Sequence, residues 1–155
     1  MQLLPACYLF KGLSESQFLR LRSIVKEKPM RKGQFLMNEG QAAGALFILK
    51  NGAVELITTV NDSFELPIAI LRNPGDCAGT SALVSPYKYS LSSRCSANGK
   101  VLVMEQARLK ELITEDHSFG FTIMRNLAEH FLEMLKEARQ ETKTHFKTFF
   151  KSIHS

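Results

Sequence analysis

The spacing of apolar residues along the chain changes twice, and each change marks a different kind of element. Near the start, Phe18 and Leu21 recur at helical spacing. Ser14 and Gln17 have the spacing of a capping box, in which each side chain accepts a hydrogen bond from the other residue's backbone. The pattern predicts a first helix over residues 14–26.

Between residues 28 and 105 apolar and polar residues alternate with a period of two, which indicates strands. The alternation predicts strands at Lys28–Arg31, Gln34–Asn38, Ala45–Lys50, Ala53–Val60, Glu65–Leu71, Ser90–Ala97 and Lys100–Glu105. Asn51-Gly52 and Asn98-Gly99 are typical of tight hairpin turns, and residues 61–63 predict a third turn. Many short strands at regular spacing favour an antiparallel sandwich, barrel or jelly roll.

From residue 106 onward the pattern becomes helical again, and helices are expected over residues 106–150. A short helix is predicted over Gln106–Ile113, a break and cap at residues 116–118, and a long helix from Phe119 to at least Gln140. The long helix carries an apolar seam at alternating steps of three and four residues: Phe121, Met124, Ala128, Phe131, Leu135 and Ala138. The seam fits either packing against the helix's own β body or self-association.

Composition places these elements in one folded body. The chain has 155 residues, of which 45% are hydrophobic and 23% are charged, and these values are ordinary for a single domain. We therefore predict one domain over residues 1–155, mainly β with helices at both ends. No apolar run approaches the roughly 18 residues that cross a bilayer, and the first residues lack the charged region of a signal peptide. A cytoplasmic location without a membrane span is expected.

Signs of catalytic or metal chemistry are sparse. The three cysteines are odd in number and lack CxxC or Cys/His spacing, which argues against a disulfide framework and against a metal site. No nucleophile–base pair and no paired carboxylates stand out, so we do not expect an enzyme. The formal net charge of +5 is spread along the chain, which suits an anionic ligand but does not establish nucleic-acid binding.

Residues 75–83 have the composition of a binding loop, with two glycines and several small residues. If Ser81 begins a helical turn, free backbone amides would offer a seat for an anion, and the next strand would return hydroxyls and a cation to it. The candidate ligand-binding residues are Gly79, Thr80, Ser81, Ala82, Leu83, Ser92, Ser93 and Arg94. On spacing alone, a surface loop between two strands is the simpler interpretation.

Three segments in this order make the sequence similar to a known family. Lys32–Gly40 and Leu46–Val54 have glycines at the spacing of β-roll turns, and Pro74–Leu83 looks like a phosphate-binding cassette. Together they resemble the cyclic-nucleotide-binding domain of catabolite activator proteins, cyclic-nucleotide-dependent kinases and ion channels, over about residues 9–135. The resemblance implies a non-catalytic β-roll, or jelly roll, that binds cyclic AMP or cyclic GMP. It also implies a long C-terminal helix that covers the base and transmits the signal.

The sequence departs from the family pattern at two positions. The family has an acidic residue directly after the cassette glycine, where this chain has Thr80. A family arginine pairs with the phosphate, and counting back from Ala97 places Leu91 at that position. A shifted count would place Arg94 there instead, and Lys88 or Arg94 could supply a charge from another direction. Charge-assisted hydrogen bonds contribute about 1.5–3 kcal/mol each, so losing both partners would weaken a cyclic nucleotide by about three orders of magnitude.

Three functions remain open at this point. The first is a regulatory sensor that holds a cyclic nucleotide or another small anion, with no other cofactor, and signals through its C-terminal helix to a partner protein or a second copy. The second is a ligand-free dimerisation or docking domain, which would form a homodimer along the seam. The third is the effector domain of a transcription regulator without its helix-turn-helix, because about a dozen residues beyond the seam cannot form a recognition helix. Direct DNA binding by this chain is not expected.

Overall fold

A computed structural model describes residues 4–154 of the chain. The ends of the predicted domain, residues 1–3 and 155, therefore lie outside the described residues. The elements are α1 Glu15–Ser23, β1 Val25–Met30, β2 Phe35–Met37, β3 Ala45–Asn61, β4 Phe64–Leu71, β5 Cys77–Ala78, β6 Ser92–Glu105, α2 Gln106–Glu115 and α3 His117–His154. Two short 3₁₀ turns lie at Tyr8–Phe10 and Thr80–Leu83.

The strands form one antiparallel sheet of six strands. Its main path runs β1-β6-β3-β4, with β2 paired to β6 and β5 paired to β3. Helices lie at both ends of the chain and strands lie between them, so the predicted class, mainly β with helices at both ends, is confirmed. The turn predicted at residues 61–63 is also confirmed, since Asn61 pairs with Phe64 and its Oδ1 accepts a hydrogen bond from Ser63 N at 3.0 Å.

The other two predicted hairpin turns are wrong. Asn51-Gly52 lies within β3 and Asn98-Gly99 lies within β6, and the two strands pair with each other on both sides of these dipeptides. The pairing shifts register there, and Asn51 Oδ1 accepts a hydrogen bond from the backbone N of Lys100 at 2.8 Å. Each dipeptide produces an irregularity in a continuous strand, because the pairing of two long strands outweighs a local turn preference.

The first helix begins as predicted but ends earlier. The backbone N of Gln17 donates to Ser14 Oγ at 3.2 Å, and Ser14 N donates to Gln17 Oε1 at 2.9 Å, so the capping box is present. The helix ends at Ser23 and not at residue 26. Val25 already pairs with Met104 as the first residue of β1, so sheet pairing ends the helix.

Alternation along the strands divides the core into two clusters. On β3, Leu46 and Ile48 belong to a cluster with the helices, whereas Phe47 and Leu49 belong to a cluster on the other side of the strand. Successive side chains of a strand point to opposite faces, so one apolar run serves both clusters. The same division holds on β6, where Leu102 and Met104 alternate with the buried Val101 and Val103.

The long helix α3 is anchored only in its first part. Asp116 precedes it and accepts a hydrogen bond from Phe119 N at 3.1 Å, which confirms the predicted cap. Asn126 donates from Nδ2 to the backbone oxygens of Leu9 and Lys11, both at 2.8 Å. From Phe131 to His154 every residue is exposed. Within residues 4–154, no helix combines the length and apolar character needed to cross a membrane.

Candidate functional site

A cavity of about 560 Å³ lies between the sheet, the loop that follows β4, and α3. The loop contributes residues 74–81, and α3 contributes His130, Phe131 and Met134. Much of the wall is apolar, since Met37, Leu56, Leu71, Val84 and Leu91 also line it. The volume lies within the range of about 300–1,000 Å³ that is usual for small-molecule sites.

The loop is held to the sheet by backbone hydrogen bonds on both sides of Gly75. Gly75 N donates to Leu49 O, and Leu49 N donates to Asp76 O, both at 2.8 Å. Asp76 turns its carboxylate back on the loop, because Oδ2 accepts from the backbone N of Arg72 at 3.1 Å and of Asn73 at 3.0 Å. The floor of the cavity is therefore built from a fixed loop.

Gly79 sets the direction in which the loop enters its 3₁₀ turn. Its φ of 85° lies in the left-handed region, and a Cβ at this position would lie 2.8 Å from the backbone oxygen of Ala45. Both constraints require glycine. The turn that follows presents Thr80 and Ser81 to the cavity.

The rest of the turn differs from the anion seat that the sequence suggested. The amide of Ala82 donates to Gly79 O at 3.0 Å, so it is already used within the turn. The side chains of Ala82 and Leu83 are buried in the two core clusters and do not line the cavity. Of the five candidate residues in the loop, the structure brings Gly79, Thr80 and Ser81 to the cavity wall.

The three candidate residues on β6 lie elsewhere. Ser92 Oγ accepts a hydrogen bond from Glu39 N at 2.9 Å, and Ser93 is fully buried, with no hydrogen-bond partner for its Oγ among the described residues. Arg94 donates from Nε to Glu55 at 2.6 Å and lies 3.1 Å from Glu65 through Nη2. None of the three lines the cavity.

Arg94 is directed to the outer side of the sheet by the alternation of β6. Ser93 and Cys95 on either side of it are buried, whereas the guanidinium of Arg94 lies over the ring of Phe35, 5.7 Å from its centroid. The hydrogen bond to Glu55 raises the pKa of Arg94, so the cation is stabilised at this position. Lys88 is exposed and lies outside the cavity wall as well.

Leu91 lies in the wall, at the position that the count back from Ala97 assigned to the family arginine. Thr80, at the position of the family acid, also lies in the wall. The two residues that depart from the family pattern therefore face the same cavity.

Tyr8 and His130 also line the cavity, and the sequence did not indicate them. Their rings stack with centroids 4.0 Å apart and an interplanar angle of 18°. The thiol of Cys77 lies 3.6 Å from the hydroxyl of Tyr8. Tyr8 and His130 are far apart in sequence and have no local motif, so only the packing of α3 on the N-terminal 3₁₀ turn could identify them.

Tyr8 and Cys77 stay uncharged near neutral pH. Burial, with the nearby Cys77, raises the pKa of Tyr8 well above its ordinary value. A hydrogen bond with Cys7 and burial raise the pKa of Cys77, whereas the same thiol–thiol hydrogen bond lowers the pKa of Cys7. The phenol and the Cys77 thiol therefore face the cavity in their neutral forms.

Comparison with known proteins identifies the family. The family described as "Cyclic nucleotide-binding domain" matches residues 27–116, which include all six strands except the first two residues of β1. The chain belongs to the cyclic nucleotide-binding domain family. The match includes residues 74–81, which line the cavity.

Solved structures are similar over most of the chain. A cyclic nucleotide-binding protein from Geobacter metallireducens GS-15 is 28% identical with a TM-score of 0.71, covering 82% of this chain and 91% of that one. The catabolite activator protein of Thermus thermophilus is 24% identical with a TM-score of 0.73, covering 88% of this chain and 62% of that one. The β-roll, or jelly roll, that the resemblance implied is therefore present.

Curated relatives are longer proteins. The anaerobic regulatory protein of Bacillus subtilis is 22% identical over 127 residues, which are 82% of this chain and 53% of that protein. The potassium channel AKT2 of Oryza sativa is 27% identical over 128 residues, which are 82% of this chain and 15% of that protein. The chain thus spans about half of one relative and a small part of the other.

Proposed function

We propose that the chain is a ligand-responsive regulatory domain in which a small molecule in the cavity changes the position of α3. The observation that carries this proposal is the shared wall. His130, Phe131 and Met134 of α3 and Thr80 and Ser81 of the loop line the same cavity. A ligand that fills the cavity must therefore contact both the fixed loop and the helix.

The position of these contacts along α3 supports a mechanical role. Ile123 and Leu127 are buried, and Asn126 bonds to the N-terminal backbone, so the helix is fixed up to this point. Phe131 is the first residue of the exposed part. The cavity therefore lies where α3 leaves the body, and a small displacement there is amplified along the residues that follow. Ligand binding shifts the population of helix positions according to the difference in affinity.

A tryptophan reporter tests this function, because the chain contains no tryptophan. Met134→Trp places the reporter in the cavity wall, and Leu132→Trp places a matched control on the exposed side of the helix. Cyclic AMP, cyclic GMP and the neutral dye N-phenyl-1-naphthylamine are added in turn, and a compound that binds should shift the emission of the first variant and leave the second unchanged. If a compound that binds by calorimetry shifts neither reporter, signalling through α3 is wrong.

A second function, a dimerisation or docking unit that needs no ligand, is favoured by the exposed seam. Phe131 and Leu135 are 42% and 46% exposed, and Phe149 is 57% exposed. Sedimentation velocity over a range of concentrations would test it. Leu135→Glu should dissociate a dimer formed along the seam, whereas Lys136→Glu on the opposite side of the helix should not. A monomer at all concentrations would contradict this function.

A further inference from the structure

The wall of the cavity offers almost no charge to a ligand. Among the described residues, it contains no lysine and no arginine, and Asp76 is its one carboxylate. That carboxylate already accepts the two backbone hydrogen bonds of its own loop. A cyclic nucleotide is an anion, so this wall would set a carboxylate near it and provide no cation to pair with it.

The two cations that the sequence suggested do not line the cavity. Arg94 is held by Glu55 and Glu65 on the outer side of the sheet. Lys88 is exposed outside the wall. His130 lines the wall, and its ring is stacked on Tyr8.

The polar groups that remain are neutral hydrogen-bonding groups. Thr80, Ser81 and Ser90 contribute hydroxyls. Burial raises the pKa of Tyr8, and the hydrogen bond with Cys7 and burial raise the pKa of Cys77, so both groups are neutral. Neutral groups exchange hydrogen bonds with a ligand at little net gain over water, whereas an unpaired anion loses its hydration without compensation. Thr80 and Leu91 stand in place of the acidic residue and the arginine of the family pattern. The loss of these two charged groups alone weakens binding of a cyclic nucleotide by roughly a thousandfold.

The apolar part of the wall points to what the cavity does accept. The cavity has apolar side chains on both sides: Met37, Leu56 and Leu71 on the sheet, and Phe131 and Met134 on α3. Leu91 lies in the wall at the position counted as the family's arginine. Burial of apolar surface is the main favourable contribution in such a site. The hydroxyls of Thr80 and Ser81 can orient one end of a ligand, and the stacked rings of Tyr8 and His130 can contact a flat group elsewhere.

We infer that the cavity binds a neutral, largely apolar small molecule with one or two hydrogen-bonding groups, and not a cyclic nucleotide. The inference rests on the proposed function in one respect: it takes this cavity as the regulatory site. It changes the ligand class from a phosphate anion to an uncharged compound. The substitutions at Thr80 and Leu91 are then a change of specificity and not a loss of binding.

A matched pair of dyes tests the inference directly. N-phenyl-1-naphthylamine is neutral, and 1-anilinonaphthalene-8-sulfonate has the same ring system with a negative charge. Fluorescence titration should give micromolar binding of the neutral dye and at least tenfold weaker binding of the sulfonate. Cyclic AMP at millimolar concentration should not displace the neutral dye.

Variants show whether the dye occupies this cavity. Ala69 lines the cavity, and Ile68 beside it on β4 does not line the wall and is 50% exposed. Ala69→Phe should weaken binding of the neutral dye at least tenfold, whereas Ile68→Phe should leave it unchanged. If both variants bind the dye equally well, the dye lies elsewhere and the inference is wrong.

A variant that should favour the anionic ligand over the neutral dye provides a second test. Leu91→Arg should strengthen the sulfonate or cyclic AMP at least tenfold and weaken the neutral dye, whereas Ile68→Arg, with the same charge outside the cavity, should do neither. Micromolar binding of cyclic AMP by the unaltered chain would overturn the inference, as would the absence of binding of the neutral dye.

Dye binding and the Met134→Trp reporter together distinguish a wrong ligand class from a wrong proposal of signalling through α3. If the neutral dye binds in the cavity but the Met134→Trp reporter does not respond, the ligand class holds and signalling through α3 fails. If cyclic AMP binds and the reporter responds, signalling holds and the ligand class fails.

Discussion

The ring of Tyr8 stacks on the ring of His130 at a centroid distance of 4.0 Å, which joins the N-terminal 3₁₀ turn to α3 at the edge of the cavity. The pair lies between the part of α3 that is buried and the part that is exposed. Any movement of α3 away from the body at this point must separate the two rings. The energy of this stacking contact therefore contributes to holding α3 against the body.

We expect the two rings to be energetically coupled. Stacked aromatic pairs contribute about 0.5–1.5 kcal/mol beyond the area they bury, so a double-mutant cycle of Tyr8→Ala and His130→Ala should give a coupling energy in that range. Urea unfolding measures it. The same cycle with His145→Ala, on the exposed part of α3, should give a coupling energy near zero, and equal values in both cycles would contradict a specific contact.

Asp116 should make stability depend on acid pH. The hydrogen bond from Gln17 and the backbone N of Phe119 lower the pKa of Asp116 in the folded state. A lowered folded pKa gives stability that is present above the unfolded pKa, near 3.9, and is lost as pH falls through the folded pKa. The melting temperature of Asp116→Asn should therefore fall less steeply than that of the unaltered chain below about pH 4.

Asparagine also caps helices well, so Asp116→Asn should keep the cap at neutral pH and lose only the stability that the charge of Asp116 contributes. Glu141→Gln removes a carboxylate from the exposed part of α3 and provides the control. Parallel pH curves for the unaltered chain and Asp116→Asn would contradict the assignment to Asp116.

Arg94 should stabilise the sheet without affecting the ligand. Its side chain is 31% exposed and contacts two glutamates, so after screening by solvent Arg94→Gln should cost about 1 kcal/mol or less in the free energy of unfolding. Arg108→Gln removes an exposed helix-surface pair with Glu111 and should cost less than about 0.5 kcal/mol. Dye binding should be the same in both variants. A loss of binding in Arg94→Gln alone would show that this guanidinium reaches the cavity.

Gly79 should be the more sensitive of two glycines that share a left-handed backbone. Gly33 has a φ of 92° and open space around its missing Cβ, whereas a Cβ on Gly79 would meet the backbone oxygen of Ala45. Gly33→Ala should cost about 1–2 kcal/mol for the backbone conformation, and Gly79→Ala should cost more because it adds the contact. Thermal unfolding of both variants measures the difference, and equal costs would mean that the loop relaxes.

Local chemistry in the sequence determined several features before any packing is known. The capping box of Ser14 and Gln17, the turn at residues 61–63 and the cap at Asp116 each depend on residues within a few positions of one another. The alternation of apolar residues likewise determined the fold class, because its period depends on backbone geometry alone. The count back from Ala97 assigned Leu91 to the family's arginine position, and Leu91 lies in the cavity wall.

The tertiary structure decided what local patterns could not. Asn51-Gly52 and Asn98-Gly99 did not become turns, because β3 and β6 gain more by pairing along their whole length than either dipeptide gains by reversing the chain. The same long-range packing brings Tyr8, Cys77 and His130 together and directs Arg94 away from the cavity. The charge of a binding site is the sum of the side chains that face it, and which side chains face it depends on contacts between residues distant in sequence.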